Sequence, residues 1–293
     1  MMRRRKKDQR GPRHPPREAR REPRQGEASR PAGRRRGRGV PVPPELVLRE
    51  PHLKPGTDHV SRKHTEAPRP GGKRGPSPVS KVVLVTGFDP FGGEQLNPSW
   101  EVCRALPREI AGHRVETCKV PCEFRSSIEA VAAAIERHRP SVVLCLGQAG
   151  GRAHLTVERV AINVDDARIE DNSGARPIDE PIAPNGPAAY FATLPIKAMA
   201  AAIRAAGIPA HVSNSAGTYV CNHVMYGVLH FLAASDNDAR AGFMHLPYAE
   251  AQVLGKPGVP ALSLDSMVRG VQVAIAAACE HREDIKASEG TLD

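Results

Sequence analysis

The chain of 293 residues is poor in aromatics: one Trp, four Tyr and six Phe amount to 4% of it. None of these lies in residues 1–80, so that part carries no side chain on which a nucleic-acid base could stack. No run of 18 apolar residues occurs anywhere, which removes the signal of a membrane-spanning helix. The basic N-terminus is not followed by an apolar stretch and a small-residue cleavage site, so no secretory signal is read there. Cysteine is scarce as well. The six cysteines (103, 118, 122, 145, 221 and 279) mostly sit inside apolar patterns. That suits reduced thiols in the cytosol better than a disulfide framework. Cys118 and Cys122 have the spacing of half a zinc site but lack a second pair, and no metal is expected.

What is present is unevenly placed. Residues 1–80 hold 23 of the 42 Lys and Arg but only 8 of the 32 Asp and Glu, a local net charge of +15. The remaining 19 basic and 24 acidic residues give residues 81–293 a net charge of −5, so the overall +10 says nothing about what the folded part binds. Half of the 28 prolines also lie in the first 80 residues, among runs such as "RRRKK" and "GRRRGRG". Such a segment has too little apolar surface to offset its ordering entropy, and residues 1–78 are read as a disordered basic extension. A basic arm can bind nucleic acid by charge alone. No sequence-reading motif accompanies this one, so no nucleic-acid partner is expected. Translation beginning at Val79 is a competing account of the extension.

Residues 79–293 are long enough for one domain with a core of its own. Val82–Thr86 and Ser141–Leu146 are apolar runs of strand type, and Arg114–Val120, His154–Ile162, His211–Ser213 and Ala241–Leu246 extend the set. Helical spacing predicts helices over Phe124–His138 and Leu194–Ala206, from about Thr218 onward, and from Leu264 to Ala278. Apolar strands alternating with helices predict an α/β fold: a single α/β/α domain, its mostly parallel twisted sheet flanked by helices on both faces. Ligands then gather beyond the carboxyl ends of the strands, at the loops 87–98, 147–151 and 214–219 and after Leu246.

Chemistry centres first on Cys221, in "SNSAGTYVCNHVMYG". In the first turn of a helix its thiol meets unpaired N–H groups and the positive end of the helix dipole, both of which favour thiolate. The small residues before it would let a substrate reach the same N–H groups as an oxyanion hole. A buried packing cysteine is the competing reading. A nucleophile needs a base and an orienting group. His223 lies two residues along the same helix and faces away. His245 closes a strand of the "GFMHLP" segment, where a base or a structural histidine would serve equally. Glu158, in "HLTVERVAIN", is either an orienting carboxylate or a solvent-facing partner of Arg159. "TGFDPFGG" follows a strand and is glycine-rich, yet it matches neither phosphate-loop pattern. Phe88 and Phe91 in it suit an apolar wall for a small, weakly charged moiety.

Together "VTGFDPFGGEQLNPSWE" (85–101), "GQAGGRAHLTVERVAINVDDARIEDNSG" (147–174), "SNSAGTYVCNHVMY" (213–226) and "FMHLP" (243–247) resemble the pyroglutamyl peptidase I family of cysteine peptidases. The likeness spans residues 81–280 in order. It implies an omega-peptidase that removes an N-terminal pyroglutamyl residue through an acyl-enzyme, with Cys221, His245 and Glu158 as its catalytic triad. It further implies that Phe88 and Phe91 sandwich the pyroglutamyl ring, with Tyr219 and Val220 completing the pocket. Gln148 falls where the family helps to bind the peptide side, Arg168 matches the family's active-site arginine, and Asn97 would tie down the first loop. No cofactor or metal is implied, the partners are pyroglutamyl peptides, and homodimers or homotetramers are common in the family. The basic extension departs from the family pattern. A phosphorolytic enzyme of related fold, such as a nucleoside phosphorylase, is the alternative reading, and a non-catalytic protein tethered to nucleic acid by its arm is a third.

Overall fold

A computed structural model describes residues 81–235 and 237–290. The extension read over residues 1–78, and the competing start at Val79, lie outside the described residues. The first strand, β1 (Val82–Phe88), is buried along its whole length. The loop after it ends in α1 (Pro98–Ala105), which the apolar pattern alone did not reveal. Its two turns are set up locally. Asn97 caps the helix by accepting from the Ser99 N–H, and Pro98 occupies the first helical position, where a missing N–H does no harm.

The strands β2 (Glu109–Ile110) and β3 (His113–Val120) follow, then α2 (Ser126–His138) and β4 (Val142–Gln148). The extended stretch predicted over His154–Ile162 divides at Arg159 into β5 (Leu155–Glu158) and β6 (Val160–Ile162). Beyond lie β7 (Ala189–Phe191), α3 (Ile196–Ala205), β8 (Ala210–Ser213) and α4 (Val220–Ala234). The chain continues through β9 (Arg240–Leu246), β10 (Tyr248–Ala249), β11 (Ala261–Leu262) and α5 (Leu264–Glu280).

Seven strands form one sheet in the order β2-β3-β1-β4-β9-β5-β8. The pairs β3–β1, β1–β4, β4–β9 and β5–β8 are parallel, while β2–β3 and β9–β5 are antiparallel. The sheet is thus mostly parallel, but β5 and β8, like the short edge strand β2, run against β3, β1, β4 and β9. The cause is chain length. Only residues 149–154 separate β4 from β5, too few for a crossover that would bring the chain back parallel.

This reversal changes the route by which one expected ligand loop, 214–219, reaches the site, although Ala216, Gly217, Thr218 and Tyr219 do line the cavity at the ends of β1, β4 and β9. The loop 214–219 does not leave the sheet at the edge where β1, β4 and β9 end. It leaves from Ser213, level with Glu158 on β5, and is tied back along β6 and the segment after it. Ala216 N donates to Val160 O at 3.4 Å, and Thr218 and Asp166 exchange two hydrogen bonds.

The strand period of two divides the core. Val83, Val85, Val142, Leu144, Leu146, Leu155, Val157, Met244 and Leu246 face the layer built with α1, α3 and α5. Leu84, Phe88, Val143, Cys145, Ala241 and Phe243 face α2 and α4. Burying side chains of this size stabilises by about 1.5–3 kcal/mol each. By the same alternation Gly147, Thr156, Glu158 and His245 fall on the α2/α4 side. Helix α4 is buried nearly all round, because it packs at once on the sheet, on its neighbour α2 and on the β6–β7 pair. Gly227 permits that approach: a Cβ there would stand 2.2 Å from Ile128 Cδ1.

Candidate active site

A cavity of about 690 Å³ opens at the ends of β1, β4 and β9. Phe91, Gln148, Arg168, Tyr219, Cys221 and His245 all line it. Glu158 lies directly behind. It is fully buried, and its Oε1 accepts from His245 Nδ1 at 2.7 Å. The register explains the pairing, since Thr156 stands opposite His245 across the antiparallel β5–β9 pair and Glu158 is the next residue on the same face. With Nδ1 engaged, Nε2 is the ring nitrogen left for the cavity. The competing reading of Glu158 as a surface partner of Arg159 does not hold: Arg159 bonds Asn214 Oδ1 at 2.9 Å and Glu289 O at 2.7 Å.

Cys221 is half-buried in the first turn of α4 and opens on the cavity beside Gly147. A Cβ at position 147 would come within 2.8 Å of the Cys221 Sγ and 2.7 Å of the Phe243 ring, so glycine there makes room for the thiol. Tyr219, the residue before α4, gives no side-chain hydrogen bond to the N–H groups of the first turn. Uncapped N–H groups at a helix start are the kind of donor an oxyanion requires.

The expected lowering of the thiol pKa is not found. Burial pushes the Cys221 thiol well above its ordinary value, Cys122 and Glu158 add to the rise, and Arg152 opposes it. Loss of hydration is the largest cause, and the charge of Arg152 does not offset it. In Glu158 the balance is reversed. Burial works against its carboxylate, but the hydrogen bond and charge of His245, the Ser213 hydroxyl and Arg152 together hold the carboxyl below its usual range.

Two residues expected in the pocket stand behind it. Phe88 is 2% exposed and packs on Phe243 at 6.4 Å between ring centres, and Val220 is wholly buried among the α2/α4 core residues. Strand alternation and the inward side of α4 decide this. Phe91 and Tyr219 do face the cavity, 6.2 Å apart, with Tyr219 propped edge-on by Phe124 and its hydroxyl on Glu170 O at 3.0 Å. The loop carrying Phe91 is held at several points. Asn97 Nδ2 donates to Asp89 O, Asn172 Nδ2 to Pro90 O, and Lys119 and Lys256 pair with Asp89 and Glu94.

Sequence reasoning passed over Arg152. Its Nη1 donates to Thr156 Oγ1 at 2.6 Å and to Glu158 Oε1 at 3.3 Å, and it lines the cavity. Its place in "GGRAHLTVE", at i and i+6 to Glu158 across a turn, left no periodic signal. Asn222 was missed too. Fully buried, it clamps α4 to β6 and the segment beyond by accepting from Ile162 N and donating to Ile162 O and Val164 O. His223 is set aside from catalysis by its own bonds, to Asp165 Oδ2 at 2.7 Å and from Arg125 N at 2.9 Å. Among the described residues no group of three or more His, Cys, Asp or Glu side chains converges as a metal site.

A family model described as pyroglutamyl peptidase matches residues 81–281. A pyrrolidone-carboxylate peptidase of Escherichia fergusonii is 56% identical over 211 residues, 72% of this chain and 98% of the relative. One from Alkaliphilus oremlandii is 52% identical over 210 residues, covering 72% and 99%. Among solved structures, pyroglutamyl peptidase I of Bacillus amyloliquefaciens superposes with a TM-score of 0.70 at 44% identity, covering 72% of this chain and all of that one. Pyrrolidone carboxyl peptidase of Thermococcus litoralis gives 0.69 at 38% identity, covering 71% and 99%.

Proposed function

The chain belongs to the pyroglutamyl peptidase family, and from that membership we propose that it hydrolyses the bond after an N-terminal pyroglutamyl residue, with Cys221 as nucleophile, His245 as acid and base, and Glu158 as the group that orients His245. The observation that carries this reading is the 2.7 Å bond from His245 Nδ1 to the buried Glu158, in the wall of the same cavity that Cys221 enters. A cyclic lactam offers no free amine for a charged or metal site to hold. A slot walled by Phe91 and Tyr219 with a few hydrogen bonds suits it better.

The steps follow from the groups. His245 Nε2 takes the proton of Cys221 as Sγ bonds to the pyroglutamyl carbonyl carbon. The oxyanion so formed lies against the N–H groups at the start of α4. The C–N bond breaks as His245 returns the proton to the leaving amine. Water, deprotonated by His245, then attacks the thioester, and pyroglutamate departs while Cys221 regains its proton. Because burial raises the thiol pKa, deprotonation is coupled to attack rather than completed beforehand. Glu158, held ionised, stabilises the imidazolium formed in each half. Gln148 and Arg168 serve the peptide side of the substrate, while Phe88 and Val220 back the pocket from the core.

Residues 79–293 form the catalytic domain of this proposal, and residues 1–78 a solvated basic extension outside the chemistry. Among the described residues no helix is long and apolar enough to cross a membrane. Six free cysteines support a reducing, cytosolic setting. Assembly as a homodimer or homotetramer is tested by solution mass. For the activity, the whole chain is assayed for release of a fluorophore from a pyroglutamyl conjugate. Cys221→Ala is expected to abolish release while the circular dichroism stays that of the parent, and an active, folded Cys221→Ala protein overturns the nucleophile.

A further inference from the structure

We propose that Gln252 is a positioning residue that fixes which end of the Gln148 side-chain amide meets the substrate. Gln252 lies in a short 3-10 turn after β10 and is buried, 7% exposed. Its two ends are read by backbone groups whose roles are not interchangeable. The Ala249 N–H can only donate, and it reaches Gln252 Oε1 at 3.0 Å. The Leu96 carbonyl can only accept, and it receives Gln252 Nε2 at 3.4 Å. The Glu94 carboxylate, 3.3 Å from the same Nε2, is also an acceptor, and its hydrogen bond with Lys256 keeps it ionised.

Of the two N–H bonds on Gln252 Nε2, one is shared by the longer contacts to Leu96 O and Glu94 Oε2 and the other goes to Gln148, so the Gln148 atom 2.9 Å away is Oε1. Gln148 lines the cavity. Its remaining end, Nε2, therefore offers an N–H donor that suits a carbonyl oxygen and rejects a group that can only donate. A glutamine without such anchoring would present either end, and half of its orientations would set an acceptor against the substrate's carbonyls. The same turn reaches Glu94 in the loop that carries Phe91, so one residue sets both the donor and the apolar wall.

This inference rests on the peptidase reading above, and the experiment separates the two. In the whole chain, Gln252→Glu places a second carboxylate oxygen against Gln148 Oε1 and Glu94, so Gln148 turns its amide and shows Oε1 to the substrate. The expected result is a fall of about 10- to 100-fold in kcat/KM on a pyroglutamyl conjugate, mostly in KM. The loss shrinks as pH falls toward 5, because a protonated carboxyl can again donate to Gln148. Gln148→Ala falls by a similar factor, and the double variant falls no further than Gln148→Ala alone. A double variant that loses the product of both factors, or a Gln252→Glu protein as active as the parent, overturns the proposal. If Gln252→Glu does not fold, Gln252→Met, similar in shape and without a donor, enters the same cycle with a smaller loss. A parent chain that releases no fluorophore overturns the peptidase function instead. The cycle is then read in thermal midpoints, where coupled shifts support the Gln252–Gln148 bond and additive shifts refute it.

Discussion

Cys221 carries two opposed influences at one atom. The helix start favours its anion, and burial disfavours it; burial is the larger and leaves the pKa raised. A raised pKa means the thiol is neutral below it, and the thiolate fraction grows with pH until that value is passed. Alkylation of Cys221 by iodoacetamide, followed by mass spectrometry, is therefore expected to keep accelerating from pH 7 through pH 9. A rate already flat by pH 7 would mean a preformed thiolate and would contradict this account. Glu158 sits at the other end of the balance, ionised at neutral pH because His245 and Arg152 answer its burial. Glu158→Gln keeps the shape but removes the charge that stabilises the imidazolium. It is expected to lower kcat by about 10²–10⁴-fold with KM little changed. Equal kinetics in the variant would remove Glu158 from the mechanism. That Cys221, His245 and Glu158 would share one site was legible in the long motifs that carry them. Arg152 and Gln252 were not, because their partners lie across turns or on distant loops.

At the scale of elements, the site depends on where α4 begins and how closely it lies to its neighbours. Asn222 fixes its first turn to β6, and Gly227 sets its distance from α2. Gly227→Ala would drive a methyl group to 2.2 Å from Ile128, which the packed interface can meet only by shifting a helix. A loss of about 1–3 kcal/mol in urea unfolding is expected, together with reduced turnover as Cys221 moves with the helix. Unchanged stability would show that α2 and α4 are not held by close packing. Most helices and strands were readable from period alone, including α5 to within two residues of its end. The helix α1 was not, because it is short and its start is signalled by Asn97-Pro98 rather than by an apolar stripe. Nor was the break between β5 and β6, where Arg159 turns outward while Glu158 turns in.

For the whole molecule, charge and family likeness divide the chain at the same place. The family model matches residues 81–281, and the local net charge changes from +15 to −5 across residue 80. A variant starting at Lys81 is expected to keep kcat/KM within about twofold, since among the described residues none that lines the cavity precedes Phe91. A tenfold loss would give the extension a part in catalysis.

The amino-acid sequence by itself determined the layered α/β fold, because strand and helix periods are local and survive without knowledge of neighbours. It also determined which cysteine, histidine and glutamate to bring together. Only the tertiary structure decided that β5 runs against β9, which places Glu158 beside His245. It alone showed Phe88 and Val220 behind the pocket, and the Cys221 pKa raised rather than lowered. Strand direction here follows from a six-residue connection, and desolvation is a sum over residues far apart in the chain. The short connection turns β5 back, but that it then meets β9, like the desolvation of Cys221, is written in no single stretch of the chain.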